Sequence, residues 1–595
     1  MSRLFGSLAG EVTSAELAAA ASRQAHGGRD GRGVLRGPGW SLGCNRLAVT
    51  EAAHAGQPYR SPQVPGVVAA LDGELYNHRE LRRRLRARGY VFPDRSDGSL
   101  LPALYAEYGL GFARHLDGMF AIAVIDQRTA EPSLVLATDE YGIKTLYCHT
   151  APSGAVRFAS ELSALLAFSQ VPAVRRDTGL DDYLTNGACL GNRTLLEGIR
   201  VLPPATTASA TGSQGLVVRR RAERTPEAAP DPDGPDGDTP LQREVLRLTG
   251  TDARVCAVMT EGTDSQLVTA LAARQLREAG EPPLHTFHVS YRGRRPGGRQ
   301  GSARAAARRS GTTHHEIALD GAELADLLPR TVWHLGQPNA DPAALSMYAL
   351  FREVRGAGFS VALSGEGGSE IFAGHPRVVR AEQDPRGNGW IAPYVDAVAA
   401  VPQWLRESLY AEDYRAHLRT QGSESDRVAA SLLAADGGRR ETLADFETRH
   451  RLPAHRLRPV DHLSAAWAVQ ARMPYLRSGV LAYARQIRAG KAPVPAGPRS
   501  EPRPDGLTPA QMLLAPGTPL LQLAYDTLSS EQPYDGRLDP AAVRRLLADQ
   551  VRASTPEGAS AVWALLVHEL WSQELRIIGS TEPLVLLPAE PALAA

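Results

Sequence analysis

The sequence predicts two domains of different class, an α+β first half and an α/β second half built on a parallel sheet. Three observations carry this. The chain's 595 residues and 63.8 kDa exceed what one hydrophobic core serves. Its first half mixes short apolar strand patterns with helix-like segments. Its second half repeats a strand–loop–helix unit, the pattern of a parallel sheet wound with helices, whose ligand sites lie at the carboxyl ends of the strands.

In chain order, Val67 to Leu71 reads as a strand leading into GELYNH, Arg79–Arg88 as a helix, and Met119 to Ile125 as a buried strand. Residues 224–240, RTPEAAPDPDGPDGDTP, combine Pro, Gly and Asp with almost nothing to bury, and read as an acidic linker. The expected division is therefore 1–210, a linker 211–240, and 241–595. Val255 to Met259 is expected as a buried strand, followed by a loop and a helix from Asp264 with Leu267, Val268, Leu271 and Ala272 on one face. Ser360 to Leu363 is a second such strand, ending in a Gly-rich turn. Residues 489–509, AGKAPVPAGPRSEPRPDGLTP, read as a long mobile loop.

Composition narrows the class. Lys+Arg at 66 against Asp+Glu at 65 leave a formal charge of +1, which argues against a nucleic-acid footprint. The 43% hydrophobic and 22% charged content is that of a soluble globular protein. No apolar run reaches the roughly eighteen residues of a membrane span, and MSRLFGSLAGEV lacks a signal-peptide layout, so a cytoplasmic protein is expected. Cys44, Cys148, Cys189 and Cys256 are scattered and read as isolated buried thiols. Only Lys144 and Lys491 are lysines, so any mechanism that needs one has two candidates.

The strings LDGELYNHRELRRRL from residue 71, LDGMFAIAVID, YGIKTLY and FASEL resemble the glutaminase domain of asparagine synthetase. VALSGEGGSEIFAGH at 361–375 and SAAWAVQARMPYL at 464–476 resemble its synthetase domain, in the same order and over nearly the whole chain. The resemblance implies an N-terminal-nucleophile αββα sandwich followed by an α/β synthetase domain of the ATP-pyrophosphatase type with a parallel sheet. It also implies glutamine hydrolysis in the first domain, ammonia transfer, and acyl-adenylate chemistry with ATP and Mg²⁺ in the second. The same family holds lactam- and amide-forming enzymes, so the resemblance fixes fold better than reaction.

Against that pattern, Ser2 stands at the nucleophile position that the family fills with cysteine. A hydroxyl needs far stronger activation than a thiol. Arg46, Gly73, Glu74 and Asp97 match glutamine-binding positions. Asp72 replaces the asparagine that donates to the oxyanion, a loss of roughly 2.7–4 kcal/mol, and Gly27 replaces an arginine. An inactive glutaminase is expected.

In the second domain, Thr260-Glu261-Gly262-Thr263-Asp264-Ser265 matches the pyrophosphate loop SGGxDS, with Asp264 as metal candidate. Glu261 puts a carboxylate where the phosphates belong. Alone, this segment is also what a helix capped by Asp264 would show. Ser364, Gly365 and Glu366 survive in the companion motif, Glu366 as candidate base, but Ser369 replaces its metal-binding aspartate, and Glu370 reads as structural. The family's K-x-x-L-R lysine is missing. Lys491 sits too early, and Arg499 or Arg503 is no equivalent point charge. Gln470 replaces an acid, while Arg472 and Pro474 persist, and Tyr348 and Arg472 are candidate substrate-binding residues.

Three readings stay open: an enzyme of specialised metabolism closing an amide, lactam or related ring without ATP, an ATP-dependent amide synthetase, and a non-catalytic scaffold. The expected partner is a small-molecule carboxylate, with room for a bulky polyketide or peptide; no nucleic acid or membrane is expected, and a homodimer is left open.

Overall fold

The computed structural model describes residues 2–49, 56–92, 94–212, 214–221, 239–250, 253–292, 300–488, 508–529 and 536–579. The expected linker core at 224–238 and the Pro-rich stretch with Lys491, Arg499 and Arg503 lie outside these residues.

The first domain stacks two antiparallel six-stranded sheets. One runs Ile199–Val201, Tyr147–Thr150, Val156–Ala159, Ser2–Leu8, Trp40–Arg46, Gly31–Gly37; the other Gln214–Arg220, Thr206–Thr211, Ser133–Thr138, Gly118–Asp126, Val64–Leu75, Tyr59–Ser61. Period-2 patterning builds the layers. Val68 and Ala70 face Leu4, Leu8 and Leu42 between the sheets, while Val67, Ala69 and Leu71 pack beneath the helices His78–Arg86 and Leu101–Tyr108. The helix Ser14–Arg23 covers the opposite face. This is the αββα sandwich implied by the resemblance. The domain runs past the expected boundary at 210, because Gln214–Arg220 is the edge strand of the second sheet.

The second domain carries a five-stranded, wholly parallel sheet in the order Thr313–Leu319, His285–Tyr291, Val255–Val258, Val361–Leu363, Gln470–Arg472. The chain winds outward from Val255–Val258 in one direction and then crosses to Val361–Leu363 on its other side. The switch point therefore falls between the loops after these two strands, where a ligand crevice is expected. The helix Thr263–Glu278 buries Val268, Ala272 and Ala273. Leu267, expected on that face, is 43% exposed, because the buried stripe is set by residues 265, 268, 269, 272 and 273. A helical layer follows, with Trp563 of the helix Pro556–Gly579 fully buried against Pro519–Leu528 and Gly321–Leu335. Among the described residues no helix is long and apolar enough to cross a membrane.

Candidate functional site

Ser2 opens the strand Ser2–Leu8 and pairs in register with Arg46 on the neighbouring strand. It is buried. Its backbone N–H donates to Asp72 Oδ1 at 3.2 Å, and Gln57 Nε2 donates to its hydroxyl at 3.1 Å. Gly73, in the left-handed region at φ +128°, sits where an added Cβ would meet the Met119 carbonyl oxygen at 1.9 Å. Asp97 accepts the Leu75 and Gly98 amides at 2.8 and 2.9 Å, and burial pushes its carboxyl up. Ser2 and Arg46 thus lie opposite each other at the ends of adjacent inner strands, and Asp97 accepts the amide two residues after Gly73.

Asp72 has a partner that sequence reasoning missed. The side chain of Arg3, wholly buried, donates through Nη1 to Asp72 Oδ2 at 3.1 Å and Asp461 Oδ2 at 2.9 Å, and through Nε to Glu161 at 3.0 Å. Lys144 donates to the other oxygen of Asp461 and lies 3.8 Å from Asp72. Burial alone would raise the Asp461 carboxyl, but Arg3 and Lys144 outweigh it and hold it below the usual carboxylate range. Burial likewise opposes ionised Glu161, yet His26 and Arg3 bring it down to about 2. The carboxylate at 72 is therefore the counter-ion of an arginine two positions into the chain. Gly27 fits the same rearrangement, since a Cβ there would meet Arg3 Cγ at 2.8 Å. Lys144, one of the two lysines, is spent in this cluster.

Glu74 and Arg472, expected in two different substrate sites, bind each other: Arg472 Nη2 donates to Glu74 Oε1 at 2.9 Å and Nη1 to the Leu248 carbonyl at 2.8 Å. Arg472 has no exposed surface. Tyr348 is also a core residue, stacked on His334 and tilted against Trp467. Neither Arg472 nor Tyr348 lines the cavity at the switch point. Both residues are packed inside the protein, away from that cavity.

That cavity, about 630 Å³, is walled by the loops after Val255–Val258 and Val361–Leu363. It brings together Thr260, Gly262, Asp264, Ser265, Ser364, Gly365 and Glu366 as the motifs imply. The two loops touch closely: a Cβ on Gly365 would lie 2.5 Å from the Ser265 nitrogen. Asp264 does not cap the helix, which begins without a side-chain cap. It instead accepts the Ser369 hydroxyl at 2.7 Å, and burial raises its carboxyl. Glu366 accepts from Arg456 Nε at 3.1 Å, and Arg456 Nη1 reaches Asp341 at 2.7 Å. Burial raises Glu366, with Arg456 opposing only in part. Glu370 pairs with His375 at 3.1 Å, consistent with a structural role. Asp341 and Arg456 belong to no motif, so no sequence signal marked them.

The class defined here is a class II amidotransferase fold joined to a parallel-sheet synthetase domain. The family described as Glutamine amidotransferase domain matches residues 1–219, and the one described as Asparagine synthase matches 238–492. A Mycobacterium tuberculosis protein named as a glutamine-hydrolysing asparagine synthetase is 29% identical, with 89% of this chain and 88% of that protein covered. Asparagine synthetase 3 of Bacillus subtilis is 28% identical over 63% of this chain and 62% of its own, and asparagine synthetase 2 of Oryza sativa is 30% identical over 57% and 54%. The chain belongs to the asparagine synthetase family.

That family normally uses ATP and Mg²⁺, and the loops that would face them depart from the family pattern at Glu261 and Ser369. An anion-binding loop offers free backbone N–H groups. Here the Thr260 N–H donates to Ser265 Oγ at 3.0 Å and the Gly262 N–H to Thr260 Oγ1 at 3.1 Å. Glu261 adds a carboxylate to the same wall with no ion pair among the described residues. Asp264 has a serine hydroxyl beside it in place of a second carboxylate. No group of three or more His, Cys, Asp or Glu side chains among the described residues is arranged to hold a metal ion.

Proposed function

We propose that the chain is a tailoring enzyme of specialised metabolism that joins an amine to an acyl group, closing an amide, lactam or related ring bond without glutamine-derived ammonia and without adenylating the acid. The observation that carries this reading is the Glu366–Arg456–Asp341 chain in the cavity wall, beside the loop that carries Glu261. A carboxylate whose proton affinity is raised by burial is the better general base. Without adenylation the acyl component arrives already activated, as a thioester or ester. The amine nitrogen bonds to the carbonyl carbon, Glu366 takes the nitrogen's proton, and the departing thiol or alcohol carries that proton away. Arg456 orients Glu366 and is itself fixed by Asp341. The cavity volume falls within the range of small-molecule sites, and Met347, Leu350, Phe351 and Met512 give it an apolar side for a bulky polyketide or peptide acyl chain.

On this reading the first domain hydrolyses no glutamine. Asp72 offers no donor to an oxyanion and repels its charge.

The test incubates the purified protein with amines and acyl thioesters in the absence of nucleotide, reading thiol release and amide mass. Glu366→Gln is expected to lower the rate by roughly 10²–10⁴. Calorimetric titration with Mg-ATP is expected to show binding no tighter than millimolar, about −4 kcal/mol. Micromolar affinity, or AMP formation abolished by Asp264→Asn, replaces this reading with the ATP-dependent amide synthetase. A product pathway indifferent to Glu366→Gln replaces it with the scaffold.

A further inference from the structure

A second cavity, about 1280 Å³, lies between the two domains. The first domain supplies residues 203–206 and Arg220, at the end of the strand Gln214–Arg220. The second supplies the start of the helix Arg439–Phe446 and one face of the helix Ser478–Arg488, through Leu481, Arg485 and Arg488. Thr448 and Arg449 line it, whereas Glu447 and Arg451 of the same helical run line the cavity at the switch point. One helical segment is thus a wall of both spaces.

The lining of this cleft is basic. Six guanidiniums stand against three carboxylates, Glu140, Glu441 and Asp445. Arg449 pairs with Asp445 at 2.8 Å, and Arg440 approaches Glu382 at 3.6 Å. Arg220, Arg439 and Arg488 form no ion pair among the described residues. Arg439 spends its donors on the backbone carbonyls of Ala381, Glu382, Asp384 and Gly387, which satisfies its hydrogens and leaves its charge. Arg220 is exposed.

Arg488 carries the largest strain. It is half-buried, and its Nη1 donates to the Ile371 carbonyl at 2.9 Å. Burial, and then the neighbouring Arg485 on the same helix face, lower its guanidinium; Asp445 and Glu441 counter this only in part. An anion entering the cleft would relieve that cost, whereas a cation would add to it. A carboxylate brings one negative charge. A phosphate group brings about two, on oxygens that match the guanidinium fork. Tyr141, Pro203, Pro204 and Leu481 provide a flank for an uncharged body beside it.

We propose that this interdomain cleft binds a phosphorylated small molecule, its phosphate held by Arg488, with Arg220, Arg439 and Arg485 supplying the surrounding positive potential. The proposal does not depend on the reaction assigned to the other cavity.

The test is calorimetric titration of the whole protein, without Mg²⁺ and at physiological salt, with phenyl phosphate, inorganic pyrophosphate and benzoate. Phenyl phosphate is expected to bind ten-fold or more tightly than benzoate. Arg488→Gln is expected to weaken it about five-fold or more. Arg220→Gln, at an exposed position that leaves the core untouched, is expected to weaken it at least two-fold, so the outcome does not hang on one variant's folding. Equal affinity for phenyl phosphate and benzoate overturns the proposal, as does indifference to both arginine changes. Pyrophosphate binding that Glu261→Gln strengthens and Arg488→Gln leaves alone places the anion in the other cavity and also overturns it. So does phosphate binding that appears only after Asp231, Asp233, Asp236 and Asp238 are all changed to Asn, since the cleft would then belong to the chain's own acidic linker.

Discussion

Replacing Arg3 by methionine removes a buried cation from between three carboxylates. Asp72 and Asp461 contact the same Nη1 at 3.1 and 2.9 Å, so they lie no more than about 6 Å apart. Two bare carboxylates at that separation repel by roughly 3 kcal/mol at an effective dielectric of 20. Lys144 remains to offset part of this, while Glu161 loses its bond to Nε. Removing one member of a buried ion pair generally costs about 3–5 kcal/mol, and Arg3→Met is expected within that range. Two domains need not unfold together, so the assay is the midpoint of the first urea transition, followed by tryptophan fluorescence. With a slope of about 1–3 kcal/mol/M, the midpoint should fall by about 1 M or more. Adding Asp72→Asn and Asp461→Asn to Arg3→Met removes the stranded charges and should return part of the loss. A midpoint shift below about 0.3 M for Arg3→Met would refute the claim that this cluster holds the domains together.

Ammonia release from glutamine should be undetectable, and Ser2→Cys alone should restore little, because Asp72 and Arg3 stay in place; full glutaminase activity from that single change would overturn the account. Acid should destabilise the protein well before carboxylates protonate. Burial holds His462 at about 4 and His568 at about 3, both below an unfolded value of about 6.5. Between those limits the unfolded chain binds the proton and the folded one does not. Their contribution is therefore complete above about pH 6.5 and lost as pH falls through 4 and 3, up to about 3 kcal/mol for His462. Urea midpoints that stay level from pH 7 to 4 would contradict this, and His462→Gln should flatten part of the slope.

The four-layer sandwich and the parallel sheet were legible because both rest on local pattern: alternating apolar positions in Gly118–Asp126 and repeated strand–loop–helix units around residues 255 and 361. Motif spacing likewise brought Thr260, Asp264, Ser364 and Glu366 to one cavity. What stayed hidden is long-range pairing. Arg3 and Asp461 are 458 positions apart, and Glu74 and Arg472 are 398 apart. No periodicity links such residues. Asp72 read as a defect because its neighbour in space was unknown, and Glu74 and Arg472 read as two ligand-binding groups because each matched a motif separately. Asp341 and Arg456 escaped notice for the opposite reason, lying in ordinary sequence with their significance given only by what they face.

A catalytically silent first domain would be free to erode or vanish, yet this one cannot be cut away cleanly. Arg3 and Lys144 meet Asp461, Glu74 meets Arg472, and Asp117 meets Arg477 at 2.6 Å, each pair with one member from either side of the division. Separating the halves would break all four of these pairs. Whatever chemistry the first domain performs, it is also the masonry on which the other stands.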